Sequence, residues 1–238
     1  MKAIRARNFI VSAEIQDGAG WPFSMAALRG VGSIELRKPV TFFIGENGSG
    51  KSTLLEGIAA AAGFNAEGGS KNFQFETTRR EAELPRLVRL MRSPRRPSDG
   101  YFLRAESFFN VASEIDRLGV TRGYGGVSLH EQSHGEAFMA LLLNRFLGDG
   151  LYILDEPEAA LSPSRQLSLL ARLHELVVGG SQFLIATHSP IVMAYPDAQI
   201  LLLDEGGMRE VAYEETEHVR VLRDFLNHRD AMLRELMR

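Results

Sequence analysis

The chain has 238 residues, 45% of them hydrophobic, and a formal net charge of -3, enough apolar side chain for one sizeable core without covalent staples. It holds no cysteine, which excludes disulfides and thiolate metal sites, and its six histidines show no local ligand spacing for zinc. The near-neutral balance carries no overall signature of nucleic-acid binding, and the longest apolar run, 138–147, is broken by Asn144 and Arg145, short of the roughly 20 residues that cross a bilayer.

Residues 2–14 alternate charged and apolar side chains and read as a strand, not as a cleaved signal. A cytoplasmic protein with no direct membrane insertion is expected. Further strands are predicted over 32–37 and Val40–Ile44, the second running straight into a glycine-rich stretch. Residues Lys51–Ala62 are good helix formers, with Leu54, Leu55 and Ile58 on one face and Gly63 as the stop. Residues 63–104 are less regular: a turn at Gly68, a strand at 72–77, a basic segment and a strand at 101–104. A helix over 108–118 follows, then a stretch with Gly123, Gly125 and Gly126, then a helix over 134–147 opened by Ser133.

The remainder alternates. A strand at 151–154 leads to a helix over 164–178, started by Ser162 and Pro163 and stopped by Gly179 and Gly180. Strands Gln182–Ala186 and 199–203 and an amphipathic helix over 217–237 close the chain. The expected fold is α/β, with a mostly parallel core sheet flanked by helices, an N-terminal antiparallel β region and a small inserted lobe. A single domain over 1–238 is expected, its core at about 1–63 and 148–238, with the lobe and the Ser133 helix at about 64–147. No internal repeat or heptad run interrupts it.

Gly45-Glu46-Asn47-Gly48-Ser49-Gly50-Lys51-Ser52 fits the P-loop pattern, in which glycines let backbone N–H groups wrap phosphates at a helix start. Lys51 would hold the β and γ phosphates, Ser52 would ligate magnesium, and Thr53 would reach the α-phosphate. The apolar run 151–154 delivers Asp155 and Glu156 at a strand's carboxyl end, where α/β sheets place ligands. Asp155 is expected to orient the Mg2+ and Glu156 to polarise the attacking water. Taken alone, such an acidic strand end is commonplace; the P-loop gives it meaning.

Three further pieces follow in order: Gln132-Ser133-His134-Gly135-Glu136, Ala160-Leu161-Ser162 and Thr187-His188-Ser189. With the P-loop and the acidic pair they make a pattern that resembles the ABC ATPase superfamily. The resemblance implies ATP as the nucleotide, hydrolysis, and a homodimer in which Ser133 and Gly135 of one copy touch the γ-phosphate held by the other. It also implies that His188 senses that phosphate and holds Glu156 in place. The residues alone allow a second reading of Ser133 and Glu136, as a capping box that steadies a helix start.

His134 and Glu136 stand where transporters of the superfamily carry glycine and glutamine, and Ser162 replaces their D-loop aspartate. The Q-loop residue is Glu106 or Gln74. The run Asp155-Glu156-Pro157-Glu158-Ala159-Ala160-Leu161-Ser162-Pro163 looks more like soluble ABC-type ATPases of the DNA-repair, SMC and OLD groups. The resemblance therefore points toward DNA maintenance or defence, with a transporter's nucleotide-binding subunit or a slow nucleotide-gated module as alternatives.

A DNA contact would fall on 79–96, where Arg79, Arg80, Arg86, Arg89, Arg92, Arg95 and Arg96 face only Glu81 and Glu83. The bland reading of the same segment is a solvated helix with Leu84, Leu87 and Leu90 packed inward. Phe23 could stack on a base, though core packing suits it as well.

Overall fold

The computed structural model describes residues 8–16, 18, 20–25, 28–65, 67–70, 83–106, 108–117, 119, 121, 126 and 128–238. Nine strands and six helices are assigned among them: β1 (Ile10–Ile15), β2 (Ser33–Glu35), β3 (Val40–Ile44), α1 (Lys51–Ala62), a single turn α2 (Leu84–Leu87), β4 (Val88–Arg92) and β5 (Asp99–Arg104). There follow α3 (Phe108–Arg117), α4 (His134–Asn144), β6 (Gly150–Asp155), α5 (Pro163–Val178), β7 (Gln182–Ala186), β8 (Gln199–Asp204), β9 (Gly207–Glu210) and α6 (Glu217–Leu236).

Two sheets form. The larger has the order β5-β6-β7-β3-β8-β9, parallel throughout except for the β8–β9 hairpin; the smaller has the order β2-β1-β4 and is antiparallel. Successive residues of the central strands point to opposite faces. Phe42, Tyr152, Leu154 and Ile185 meet leucines of α4 and α5 on one side. Phe43, Leu151, Ile153 and Leu184 meet α1 and the antiparallel sheet on the other. Strands buried on both faces explain why β3, β6 and β7 read as continuous apolar runs.

Buried Gln182 ties the two sheets together: its Oε1 accepts from the backbone N–H groups of Phe9 and Ile10, each at 2.9 Å, and its amide donates back to Ile10. Gln199 does the same near β2, accepting from Arg37 and donating to Glu35.

Three expectations are corrected. The segment with Leu87 and Leu90 is not a helix but one turn followed by β4, because Val88–Arg92 pairs with the open edge of β1, Glu14 facing Arg89. Segment 64–147 thus contributes β4 to the small sheet and β5 to the large one. The Ser133 helix ends at Asn144 rather than 147, since Asp99 engages Arg145 and the Leu147 N–H, drawing both out of the helical path. The hairpin strand β9 was not foreseen at all. The strand expected at 72–77, with Gln74, and Arg79, Arg80, Glu81, Gly123 and Gly125 lie outside the described residues.

Candidate nucleotide site

The P-loop joins β3 to α1. A Cβ on Gly45 would press into the carbonyl oxygen of Leu203, and Gly50, at φ 99°, caps the helix in left-handed backbone, a conformation that favours glycine. This keeps the loop flat against β8 and leaves the first N–H groups of α1 without helical partners. Within the loop, Ser49 Oγ is buried and makes no hydrogen bond. Lys51 folds back, its Nζ donating to the carbonyls of Gly45 and Glu46 at 2.9 Å each. Burial lowers its pKa, against the pull of Glu156, Asp155 and Glu158.

Ser52, one residue on, donates its hydroxyl proton to Asp155 Oδ1 at 3.1 Å, across 103 residues of sequence. Burial pushes Asp155 up to about 6, opposed by the Ser52 hydrogen bond and the Arg104 charge. Arg104 is register partner of Asp155 on β5 and pairs with Glu56 of α1 at 2.7 Å. Glu106, two residues past Arg104, approaches that guanidinium at 3.4 Å with its side chain largely exposed.

Glu156 sits at φ 51°, ψ 52°, immediately before Pro157. A non-glycine residue there costs on the order of 1–3 kcal/mol. The bond from its N–H to Ala186 O, at 3.0 Å, holds the backbone, and the turn sends the carboxylate toward His188, whose Nε2 is 3.6 Å from Oε1. Glu46, Asn47, Gly48, Ser49 and the hairpin residues Asp204, Glu205, Gly206 and Arg209 wall a cleft of about 890 Å³. Met25 and the start of α6, with Thr216, Glu217 and His218, close its far side.

Two sequence families match. One described as "AAA domain" covers residues 27–116, and one described as "AAA domain, putative AbiEii toxin, Type IV TA system" covers residues 117–194. No protein of curated function matches the sequence. Among solved structures, a nucleotide-free ATP-binding cassette from an ABC transporter superposes with a TM-score of 0.52 at 20% identity, covering 90% of this chain and 94% of that one. The ADP conformation of MJ1267, an ATP-binding cassette of an ABC transporter, gives 0.52 at 20% identity, covering 91% and 96%. The cbiO1 subunit of Clostridium perfringens, part of the ABC transporter complex cbiONQ, gives 0.50 at 20% identity, covering 96% and 100%. At these identities the likeness is one of fold.

The chain thus has the fold of ATP-binding cassettes and matches AAA-domain families over residues 27–194.

Within this fold, the lining of the P-loop cleft includes neither Ser133 nor Gly135, and it likewise leaves out Lys51, Ser52, Asp155 and Glu156. The capping box is formed: Ser133 Oγ accepts from Glu136 N at 3.3 Å, and Glu136 Oε2 accepts from Ser133 N at 3.0 Å. Gly135 is glycine for packing, since a Cβ would stand 2.7 Å from the Ala160 carbonyl. The start of α4 is thereby seated on the turn Pro157–Ala160.

Two residues beside this cluster escaped the sequence reading. Glu158 Oε1 accepts from the backbone N–H groups of His188, at 2.5 Å, and Ser189, at 3.2 Å, so the Pro157–Ala160 turn holds the loop that carries His188. Its pKa is raised by burial, against those bonds. His218, on α6, lies 3.2 Å from His188 Nδ1. Glu158 fell inside a run already singled out, whereas nothing local marks His218. Phe23 packs partly buried against the core beneath the small sheet.

Proposed function

We propose that this chain binds ATP with Mg2+ and hydrolyses it at a site completed by a second copy. The observation that carries the reading is the convergence of three distant segments at the carboxyl end of the sheet: Lys51 in its loop, Ser52 bonded to Asp155 at 3.1 Å, and Glu156 beside His188 at 3.6 Å. Lys51 would exchange two loop carbonyls for phosphate oxygens. The glycine cradle and the unpartnered Ser49 hydroxyl suit the same anion. Ser52 and Asp155 offer the hard oxygen donors that Mg2+ takes, with phosphate and water completing its shell. When bound, the cation would neutralise charge on the transferring phosphate.

Glu156, on the strand end next to Asp155, orients the attacking water, and His188 holds Glu156 and meets the γ-phosphate. Ser133 and Gly135 of the second copy close on that phosphate through the N–H groups at the start of α4. Among the described residues no helix is long and apolar enough to cross a membrane.

The test is steady-state hydrolysis over a range of protein concentrations with Mg2+. Turnover per subunit is expected to rise with concentration; a rate independent of it would sink the shared site. Lys51→Ala is expected to lose nucleotide binding, and Glu156→Gln to keep binding while hydrolysis falls roughly 10³-fold. Undiminished hydrolysis in both variants would refute the assignment.

Duplex DNA, added at two salt concentrations, tests a role in DNA maintenance. Arg86, Arg89, Arg92 and Arg96 stand exposed, whereas Arg95 is half-buried in an ion pair with Asp149 and over the Phe9 ring. Stimulation that salt removes would support a backbone contact by these exposed arginines; no stimulation would favour a protein client.

A further inference from the structure

His218 opens α6, thirty residues beyond His188 in the chain, yet the two rings meet with centroids 5.4 Å apart and planes at 56°. Nε2 of His218 is 3.2 Å from Nδ1 of His188, and the other nitrogen of His188 is 3.6 Å from Glu156 Oε1. Glu156, His188 and His218 are therefore successive neighbours, and two of the ring nitrogens are buried and make no hydrogen bond: His188 Nε2, facing Glu156 just beyond bonding distance, and His218 Nδ1.

The donor inventory decides how protons sit along this line. An ionised carboxylate only accepts, so a hydrogen on His188 Nε2 makes the favourable contact with Glu156. In a neutral imidazole that leaves Nδ1 as an acceptor. The proton between the rings then belongs to His218 Nε2. The reverse arrangement would set a nitrogen lone pair against a carboxylate. Burial, joined by the charge of Lys51, holds His188 below the ordinary histidine pKa, and burial does the same for His218, so the neutral forms prevail near pH 8.

We propose that His218 is a positioning residue that fixes the Nε2–H tautomer and ring orientation of His188, so that His188 presents a donor to Glu156 and to the reacting end of the nucleotide. This rests on the hydrolytic reading above. His218 acts through His188, and its donor N–H is the feature that matters. Glutamine at this position can offer an amide N–H near the place of Nε2 without a second tautomer.

Two variants and two readouts test it. His218→Ala is expected to lower kcat roughly 10-fold to 100-fold, the range for losing a partner that orients a functional histidine, with KM for ATP little changed; His218→Gln is expected to recover most of kcat. Independently of turnover, nitrogen-15 correlation spectra of the histidine rings near pH 8 are expected to show His188 as the Nε2–H tautomer in the wild type and as a mixture in His218→Ala. A wild-type His188 protonated on Nδ1 would overturn the proposal. So would equal loss in both variants with the tautomer unchanged, which marks a merely structural role. If no form hydrolyses ATP, the hydrolytic reading fails while the spectra still decide the tautomer.

Discussion

Asp99 and Asp155 lie at opposite ends of the paired strands β5 and β6, and burial penalises the charge of both, yet they end in opposite states. At Asp99, burial is outweighed by hydrogen bonds from Arg145 at 2.7 Å and Tyr152 at 2.8 Å and by the Arg145 charge, which hold the carboxyl below its ordinary range. At Asp155, burial prevails over the Ser52 bond and the Arg104 charge, and the pKa is pushed up to about 6. A carboxylate whose burial is answered by the fold is part of the scaffold. One whose burial is left partly unanswered is of the kind found at functional sites.

The largest effects should separate these two residues cleanly. Asp155→Asn is expected to cut hydrolysis on the order of 10²–10³-fold, as for removal of a group that stabilises transition-state charge, while unfolding free energy holds or rises. Steady-state hydrolysis and urea unfolding of one preparation check both halves. Asp99→Asn should do the reverse, losing about 3 kcal/mol of stability because the charged hydrogen bonds that Asp99 makes with Arg145 and Tyr152 are lost or weakened. Activity per folded molecule should be unchanged, and a catalytic defect there would break the contrast.

Acid titration sharpens the comparison through opposite signs. The folded pKa of Asp155, about 6, lies above its ordinary 3.8, so the folded state binds the proton more tightly and the stability owed to this group falls as pH rises from about 4 to about 6, by at most about 3 kcal/mol. Asp99, depressed, contributes stability that is present above its ordinary pKa and is lost as pH falls through its folded value. Without Mg2+, the stability advantage of Asp155→Asn over wild type should grow across pH 4 to 6 and then level. A flat difference in unfolding free energy would remove the special status of Asp155.

The smallest effect belongs to Tyr152, whose hydroxyl donates to Asp99. Tyr152→Phe keeps the stacked contact with Phe146, rings 4.3 Å apart, and removes one hydrogen bond to a charged group. A loss of about 1.5 kcal/mol is expected in urea unfolding, with an unchanged slope. A loss as large as that of Asp99→Asn would mean that Tyr152, rather than Arg145, dominates the cluster.

How much was legible in advance depended on how far apart the cooperating residues lie. The P-loop was readable because its glycines, lysine and serine act on one another within a single turn of backbone. The capping box of Ser133 and Glu136 and the ends of Lys51–Ala62 were readable for the same reason, as local steric and hydrogen-bonding rules. Segment Val88–Arg92 was misread because its apolar residues suit either period, and the open edge of β1 decided between them.

By itself, then, the sequence determined which short segments could cradle an anion, cap a helix or end a strand in carboxylates. Only the tertiary structure decided which of them meet. The order of β3, β6 and β7 in one parallel sheet brings Ser52 to Asp155 and Glu156 to His188, and the return of α6 sets His218 behind that histidine. Local rules act over a few residues, whereas these contacts span 30 to 103 residues of sequence and exist because burying both faces of the sheet leaves its strand ends no other neighbours.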